Sequence, residues 1–176
     1  MSIQLVLAKP SDMTEIRRVQ KEVWLETYPT AEYGVTRLDI KDRFSKDDTP
    51  EGREQMKERE KRFFQPNART WVAKDGDTII GYCLAIKDRE QHCVQALYVL
   101  PAYQKKGLGK LLLQHALEWL GTEKCVSLHV ASYNESAIQF YTHMGFVKAQ
   151  TSTTEETIHF PSGATIREIE MILKSQ

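Results

Sequence analysis

The feature that most constrains the fold is a hydrophobic strand followed by a glycine-containing loop and an amphipathic helix. Residues 94–99 form an apolar run, and apolar residues then recur at helical spacing over 107–120, where Gly121 ends the pattern. A second apolar run follows at 126–130. Because two strands joined through one helix lie parallel in the same sheet, this order predicts a β-α-β unit.

The remaining segments add strands and helices on both sides of this unit. Residues 3–8 predict a first strand, and Asp75-Gly76 predicts a hairpin between two strands ending near residue 86. After Ser11, one helical stripe is formed by Met13, Ile16, Val19, Val23 and Trp24. Tyr28-Pro29 ends that helix, because the residue before proline avoids the α region.

The C-terminal third predicts another helix and a last pair of strands. Asn134 can cap a helix that Gly145 closes, and antiparallel strands are expected from Val147 onward and over 166–173. The expected fold is therefore α/β (α+β), with a mixed central sheet of about seven strands flanked by helices. At 176 residues, we expect one domain over 1–176.

Residues 37–62 mix positive and negative charges with few apolar positions. This composition predicts one or two solvated helices stabilised by pairs such as Glu58 with Arg62. A charged exposed face accounts for the segment without any specific binding role.

Composition excludes several function classes. Lys plus Arg (24) equals Asp plus Glu (24), so no global field attracts nucleic acid or an anionic membrane. The apolar run at 3–8 is short and has no basic lead, and no stretch has the ~20 apolar residues of a membrane span, so we expect a cytoplasmic protein. Three widely spaced cysteines have neither disulfide nor zinc-ligand spacing, so no metal is expected.

The loop at 104–110 carries the clearest chemical signal. Gly107 and Gly109 allow the backbone to approach a ligand closely, and the start of the next helix presents unpaired N–H groups. Lys105, Lys106 and Lys110 add positive charge. Such a loop suits phosphate oxygens, although two glycines and exposed lysines also fit a simple tight turn.

Two nucleotide motifs are excluded by spacing. A dinucleotide-binding loop needs a third glycine where this chain has Leu112, and a P-loop needs a glycine where it has Gln104.

Two blocks of residues make the chain resemble the GCN5-related N-acetyltransferase (GNAT) superfamily. The family's acetyl-coenzyme A signature is Arg or Gln, two residues, Gly, one residue, then Gly or Ala, and 104–109 matches it. A second run of the family, V-x-x-x-N-x-x-A-x-x-F-Y-x-x-x-G-F, matches 130–146. The resemblance spans most of the chain and is weakest over 28–65.

The resemblance implies an enzyme that transfers the acetyl group of acetyl-coenzyme A to a primary amine by direct attack in a ternary complex. It implies that the coenzyme contacts Leu97, Tyr98, Val99, Gln104, Lys105, Lys106, Gly107, Leu108, Gly109, Lys110, Asn134 and Tyr141. The Val99 amide would polarise the thioester carbonyl. Tyr141 would protonate the departing thiolate, and His143 is either near the outer end of the coenzyme or a plain surface residue.

The sequence defines the general base and the amine acceptor less clearly. Many relatives carry a glutamate where this chain reads Cys93-Val94-Gln95-Ala96. Water, a neutral substrate amine, or Glu26, Glu32 or His92 could replace it. Residues Glu26, Tyr28, Glu32 and Tyr33 could form an acidic and aromatic pocket for a cationic amine such as a polyamine; a peptide or protein amine is the other acceptor class.

The missing carboxylate also leaves open a non-catalytic sensor of acetyl-coenzyme A with the same fold. A homodimer is compatible with the sequence, whereas membrane and nucleic acid are not expected as partners.

Overall fold

The computed structural model of the protein describes residues 3–149 and 157–175. The strands are β1 (Ile3–Leu7), β2 (Ala68–Asp75), β3 (Thr78–Ile86), β4 (His92–Val99), β5 (Val126–Ala131), β6 (Val147–Lys148), β7 (Thr157–His159) and β8 (Thr165–Leu173). The helices are α1 (Met13–Thr27), α2 (Arg37–Ser45), α3 (Pro50–Phe63), α4 (Leu108–Leu120) and α5 (Glu135–His143).

The strands form one mixed sheet in the order β1-β2-β3-β4-β5-β8-β6, with β7 paired to β8. All of these pairs are antiparallel except β4 with β5, which is parallel as the β-α-β pattern predicts. The predicted mixed sheet flanked by helices is confirmed. The prediction of about seven strands missed only the short β7.

Strands β4 and β5 pair over a short stretch and then diverge. Their register includes only His92 with Val126 and Cys93 with Ser127. Both strands continue past this point, so the sheet opens between their C-terminal halves. Strand β4 also carries a bulge, because Leu84 pairs with Ala96 whereas its neighbour on β3 pairs with Val94.

Helices cover both faces of the sheet. On one face, Trp71 of β2 packs edge-on against Trp119 of α4, with ring centroids 5.8 Å apart. On the other, Tyr82 of β3 packs against Phe63 of α3. The apolar stripe of α1 packs into the main hydrophobic core, where Ile16 and Val19 are almost fully buried.

The mixed-charge segment forms two helices, α2 and α3. Thr36 caps α2 by accepting a hydrogen bond from the Asp39 amide, and Thr49 caps α3 in the same way through Gly52. The expected Glu58–Arg62 pair is not formed: Glu58 pairs with Lys61, and Arg62 instead donates to the Gln95 side chain.

Among the described residues, no helix combines the length and apolarity needed to cross a bilayer.

Candidate active site

A cleft of about 780 Å³ occupies the opening between β4 and β5. The glycine-containing loop and the start of α4 border one end, and residues from the end of α1 border the other. Of the predicted site residues, the cleft is lined by Leu97, Tyr98, Val99, Gln104, Lys105, Gly107, Gly109, Lys110, Asn134 and Tyr141.

The loop has the backbone geometry expected of an anion-binding turn. Gly107 has a φ of 82° and directly precedes α4, so the first amides of that helix face the cleft end. Lys105 also has a positive φ, 58°, which is uncommon for a residue with a side chain. Gln104 fixes the loop to the strand by donating from Nε2 to the Val99 carbonyl oxygen at 2.8 Å.

Gly109 lies where the loop and α4 approach the rest of the cleft. A Cβ atom at this position would be 3.8 Å from the Phe140 ring and 3.9 Å from Val99, which is ordinary contact. The protein itself therefore has room for a small side chain at Gly109. Because Gly109 has no side chain, this space at the cleft wall stays open.

The side chains of the three loop lysines point in different directions. Lys105 and Lys110 line the cleft. Lys106 instead folds back, and its Nζ donates to the Ala102 carbonyl oxygen at 2.8 Å. Leu108 is buried in the core and its side chain is not part of the cleft wall. Neither Lys106 nor Leu108 lines the cleft, so their predicted contacts with the coenzyme would involve mainly their main chains.

The Val99 amide points into the opening of the sheet. The neighbouring Leu100 amide donates to Ile80 of β3 at 2.9 Å. Because successive N–H groups of a strand point to opposite sides, the Val99 N–H is directed away from β3 and toward the gap before β5. A backbone donor therefore faces the cleft where β4 and β5 have separated.

Helix α5 brings Tyr141 to the cleft. The Asn134 side chain caps this helix, as predicted, by accepting a hydrogen bond from the Ala137 amide at 3.1 Å. Tyr141 is only 9% exposed and packs against Phe140 and Phe146. Burial raises the pKa of Tyr141 well above its usual value, with smaller contributions from Cys83 and Tyr98. Its phenol is therefore protonated at neutral pH.

The other end of the cleft is aromatic and acidic. Tyr28, Tyr98, Glu26 and Glu168 line it. Burial raises the pKa of Tyr28, and the adjacent Tyr98 hydroxyl and the charge of Glu168 add to that effect. These phenols also remain neutral.

The match of this chain to a family model decides its relationship to known proteins. The model described as "Acetyltransferase (GNAT) family" matches residues 17–146. The protein belongs to the GNAT family. The matched range includes the loop, the diverging strands and Tyr141.

Individual relatives agree with this assignment. The chain is 33% identical over 84 residues to the peptidyl-lysine N-acetyltransferase YjaB of Salmonella typhimurium, covering 47% of this chain and 53% of that protein. The chain thus spans about half the length of the curated relatives it matches.

Solved structures share the fold across nearly the whole chain. The PaiA N-acetyltransferase of Thermoplasma acidophilum, solved with coenzyme A, has a TM-score of 0.73 at 21% identity and full coverage of both chains. A chimera of the Vibrio cholerae spermidine N-acetyltransferase SpeG and hSSAT has a TM-score of 0.67 at 20% identity, covering 99% of this chain and 96% of that one.

Several residues considered as GNAT acceptor or base residues lie elsewhere. Glu32 and Tyr33 are exposed on the loop after α1 and do not line the cleft, and Tyr33 instead stacks on Tyr133 with ring centroids 5.0 Å apart. His92 lies at the opposite end of β4, in a separate cavity, where its Nδ1 accepts from the Asp88 amide. Burial and then Lys124 lower its pKa. His143, in contrast, does line the cleft, at its margin, and is exposed.

Glu168 lines the cleft but was not identified by the sequence analysis. In the sequence it is one polar position of the alternating final strand. Only the pairing of β8 with β5 brings it to the cleft, opposite Ala131. Among the described residues, no group of three or more His, Cys, Asp and Glu side chains is arranged to hold a metal ion.

Proposed function

We propose that the protein is an N-acetyltransferase that moves the acetyl group of acetyl-coenzyme A to a primary amine. The amine belongs either to a small molecule such as a polyamine or to a peptide or protein. Transfer occurs by direct attack within a ternary complex.

The observation that carries this proposal is a single cleft that runs through the opened sheet. One end offers helix N-terminal amides and two lysines, which suit phosphate groups. The other end offers carboxylates and phenols, which suit a cationic amine. A donor and an acceptor bound at the two ends would meet between β4 and β5.

The loop would bind the pyrophosphate of the donor, mainly through main-chain amides of residues 106–110. Lys105 and Lys110 would add charge at the same end. The pantetheine arm, which ends in the thioester, would then lie along the open edge of β4. There it would occupy the position that a neighbouring strand has elsewhere in the sheet. This arrangement leaves the acetyl group close to the Val99 amide.

Holding the amine in line with the thioester supplies much of the rate through proximity. The amine nitrogen attacks the carbonyl carbon, and the Val99 N–H stabilises the negative charge that develops on the oxygen. As the carbon–sulfur bond breaks, Tyr141 donates its phenolic proton to the sulfur. No acyl-enzyme is needed.

The acceptor class is supported by the cleft and by the relatives. Two carboxylates and two tyrosines at the acceptor end favour a positively charged substrate. The similar proteins include acetyltransferases named for peptidyl lysine and for spermidine. Both acceptors carry primary ammonium groups.

The test is an acetyl-transfer screen over spermidine, blocked lysine peptides, free amino acids and aminoglycosides, with the acetylated product detected by mass spectrometry. We expect transfer to at least one primary amine. Calorimetry in parallel should show acetyl-coenzyme A binding. Binding without transfer to any amine would instead support a non-catalytic sensor.

A further inference from the structure

Strand β4 provides no carboxylate to the cleft, and we infer that Glu168 of β8 supplies it: Glu168 binds the ammonium group of the acceptor and takes its proton. This inference rests on the proposed function and adds a proton acceptor and an acceptor contact to it.

The sheet topology places Glu168 at the acceptor end. Strand β8 pairs antiparallel with β5, and Glu168 lies opposite Ala131, the last residue of β5. This is the part of β5 that has already separated from β4. Glu168 lines the cleft together with Tyr28 and Tyr98.

The charge of Glu168 acts on the phenols around it. Burial is the main cause of the raised pKa values of Tyr28 and Tyr98, and the negative charge of Glu168 raises both further. Burial and then Glu168 raise the pKa of Tyr133 to about 12. The carboxylate is therefore within electrostatic range of three neutral hydroxyl groups.

The charged and titratable groups facing Glu168 come from several elements. Arg43 of α2 is near enough for Glu168 to raise its pKa slightly against a larger lowering by burial. Tyr28 follows α1, Tyr98 is on β4, and Tyr133 follows β5. His129 lies two residues before Ala131 and also lines the cleft.

The other carboxylates suit the task less well. The Glu26 side chain is 55% exposed, so solvent screens its attraction for an ammonium group more than in the buried part of the cleft. Glu32 does not line the cleft. Gln95 lies at the β4 bulge, in the segment where many relatives carry a glutamate, but an amide cannot take a proton. Arg62 also places a positive charge beside Gln95, so this part of the cleft disfavours an ammonium group.

The proton balance is complete with groups already named. The ammonium gives one proton to Glu168, and its freed lone pair forms the nitrogen–carbon bond. The carbon–sulfur bond breaks, and the sulfur receives a proton from Tyr141. The nitrogen releases its second proton, which restores Tyr141. Glu168 returns its proton to water, so the products are the amide, the coenzyme thiol and one proton.

The experiment compares Glu168→Gln with Glu170→Gln. Glu170 lies on the same strand two residues away, does not line the cleft and accepts a hydrogen bond from Gln91. It is a matched control for loss of a β8 carboxylate. Acetyl transfer to spermidine and to a blocked lysine peptide is measured from pH 6 to 10, and coenzyme A binding is measured by calorimetry.

We expect Glu168→Gln to lower kcat/KM at pH 7 by about 100-fold or more, the size typical of a lost general base. Coenzyme A binding should change less than twofold, because Glu168 lies at the other end of the cleft. The defect should shrink as pH rises toward the amine pKa of about 10, since the free amine needs no proton acceptor. Glu170→Gln should match wild type.

Two results overturn the inference while leaving the proposed function intact. One is an active wild type with Glu168→Gln equally active at pH 7. The other is a Glu168→Gln defect of the same size at every pH with intact coenzyme binding, which would indicate a role in packing only. If wild type acetylates none of the amines in the screen described above, the proposed function fails, and the inference fails with it.

Discussion

Tyr141 lines the cleft, and its phenol keeps its proton at neutral pH. Its phenol is buried, and that burial raises its pKa. A buried thiolate is destabilised by the same low dielectric, so the environment that opposes ionisation of Tyr141 also favours protonation of the sulfur. Proton transfer between two such groups is most favourable while the carbon–sulfur bond is breaking. Tyr141 therefore stays protonated at neutral pH, and in the proposed mechanism it is a proton donor rather than a nucleophile.

This role predicts the behaviour of Tyr141→Phe. The ring and its contacts with Phe140 and Phe146 remain, so the coenzyme dissociation constant should change little. The rate of acetyl transfer in a single turnover should fall at least tenfold, because one general acid contributes about 10²- to 10⁴-fold. Single-turnover measurement avoids masking by slow product release.

Tyr103→Phe is the control for this variant. It also removes one phenol, but the Tyr103 hydroxyl donates to Asp75 outside the cleft. Its transfer rate should equal that of wild type. A wild-type rate for Tyr141→Phe would show that Tyr141 serves only in packing and that water protonates the thiolate.

At the scale of elements, the strand–loop–helix unit separates two tasks. In the proposed function, strand β4 would present the Val99 amide to the acetyl group, while the start of α4 would present amides to phosphate. The Gln104 side chain joins the two by bonding to the Val99 carbonyl. This hydrogen bond holds the proposed phosphate and carbonyl sites in a fixed relation.

Gly109→Trp tests the phosphate end of this unit. The substitution fills the cleft wall at the loop, so coenzyme A binding, expected near a Kd of ~1 μM or about −8 kcal/mol, should weaken at least tenfold. Calorimetry measures this loss. Leu111→Trp, on the exposed side of the same helix, should bind as wild type does. Unchanged binding by Gly109→Trp would exclude the loop as the coenzyme site.

Sequence patterns predicted the elements well because each element carries local signals. The apolar stripe of α1, the Asn134 cap and the glycine after α4 act within a few residues, and the helices occur where these signals lie. Divergence of β4 from β5 has no local signal, because it depends on how two distant strands pair. Glu168 was missed for the same reason.

Side-chain direction was equally hard to predict. Lys105 and Lys106 are adjacent in a basic loop, but only Lys105 lines the cleft. The backbone sets this difference: Lys105 has a positive φ, and Lys106 bonds to the preceding turn through Ala102. The sequence therefore indicated the loop as a binding site, whereas the backbone geometry of the turn decides which of the two lysine side chains lines the cleft.

At the scale of the whole molecule, the chain is neutral, but its cleft carries charge of both signs. Lysines lie at the loop end, and carboxylates lie at the acceptor end. A donor with several phosphates and a cationic acceptor would each be attracted to a different end of the cleft. If the proposed function holds, the fold would thus direct each substrate to its own end of the cleft without any net charge on the protein.

This arrangement predicts which ligands stabilise the whole fold. A ligand that binds only the folded state at about 100 times its Kd adds about 2.7 kcal/mol, which for a chain of this size raises Tm by about 5–10 °C. Acetyl-coenzyme A should produce such a shift in a thermal-shift assay. NAD and ATP at the same concentration should shift Tm by less than about 1 °C, because the loop lacks the third glycine of a dinucleotide site and the first glycine of a P-loop. Equal shifts for NAD or ATP would show that the loop accepts phosphates of any nucleotide, and the selectivity inferred from Gln104 and Leu112 would be wrong.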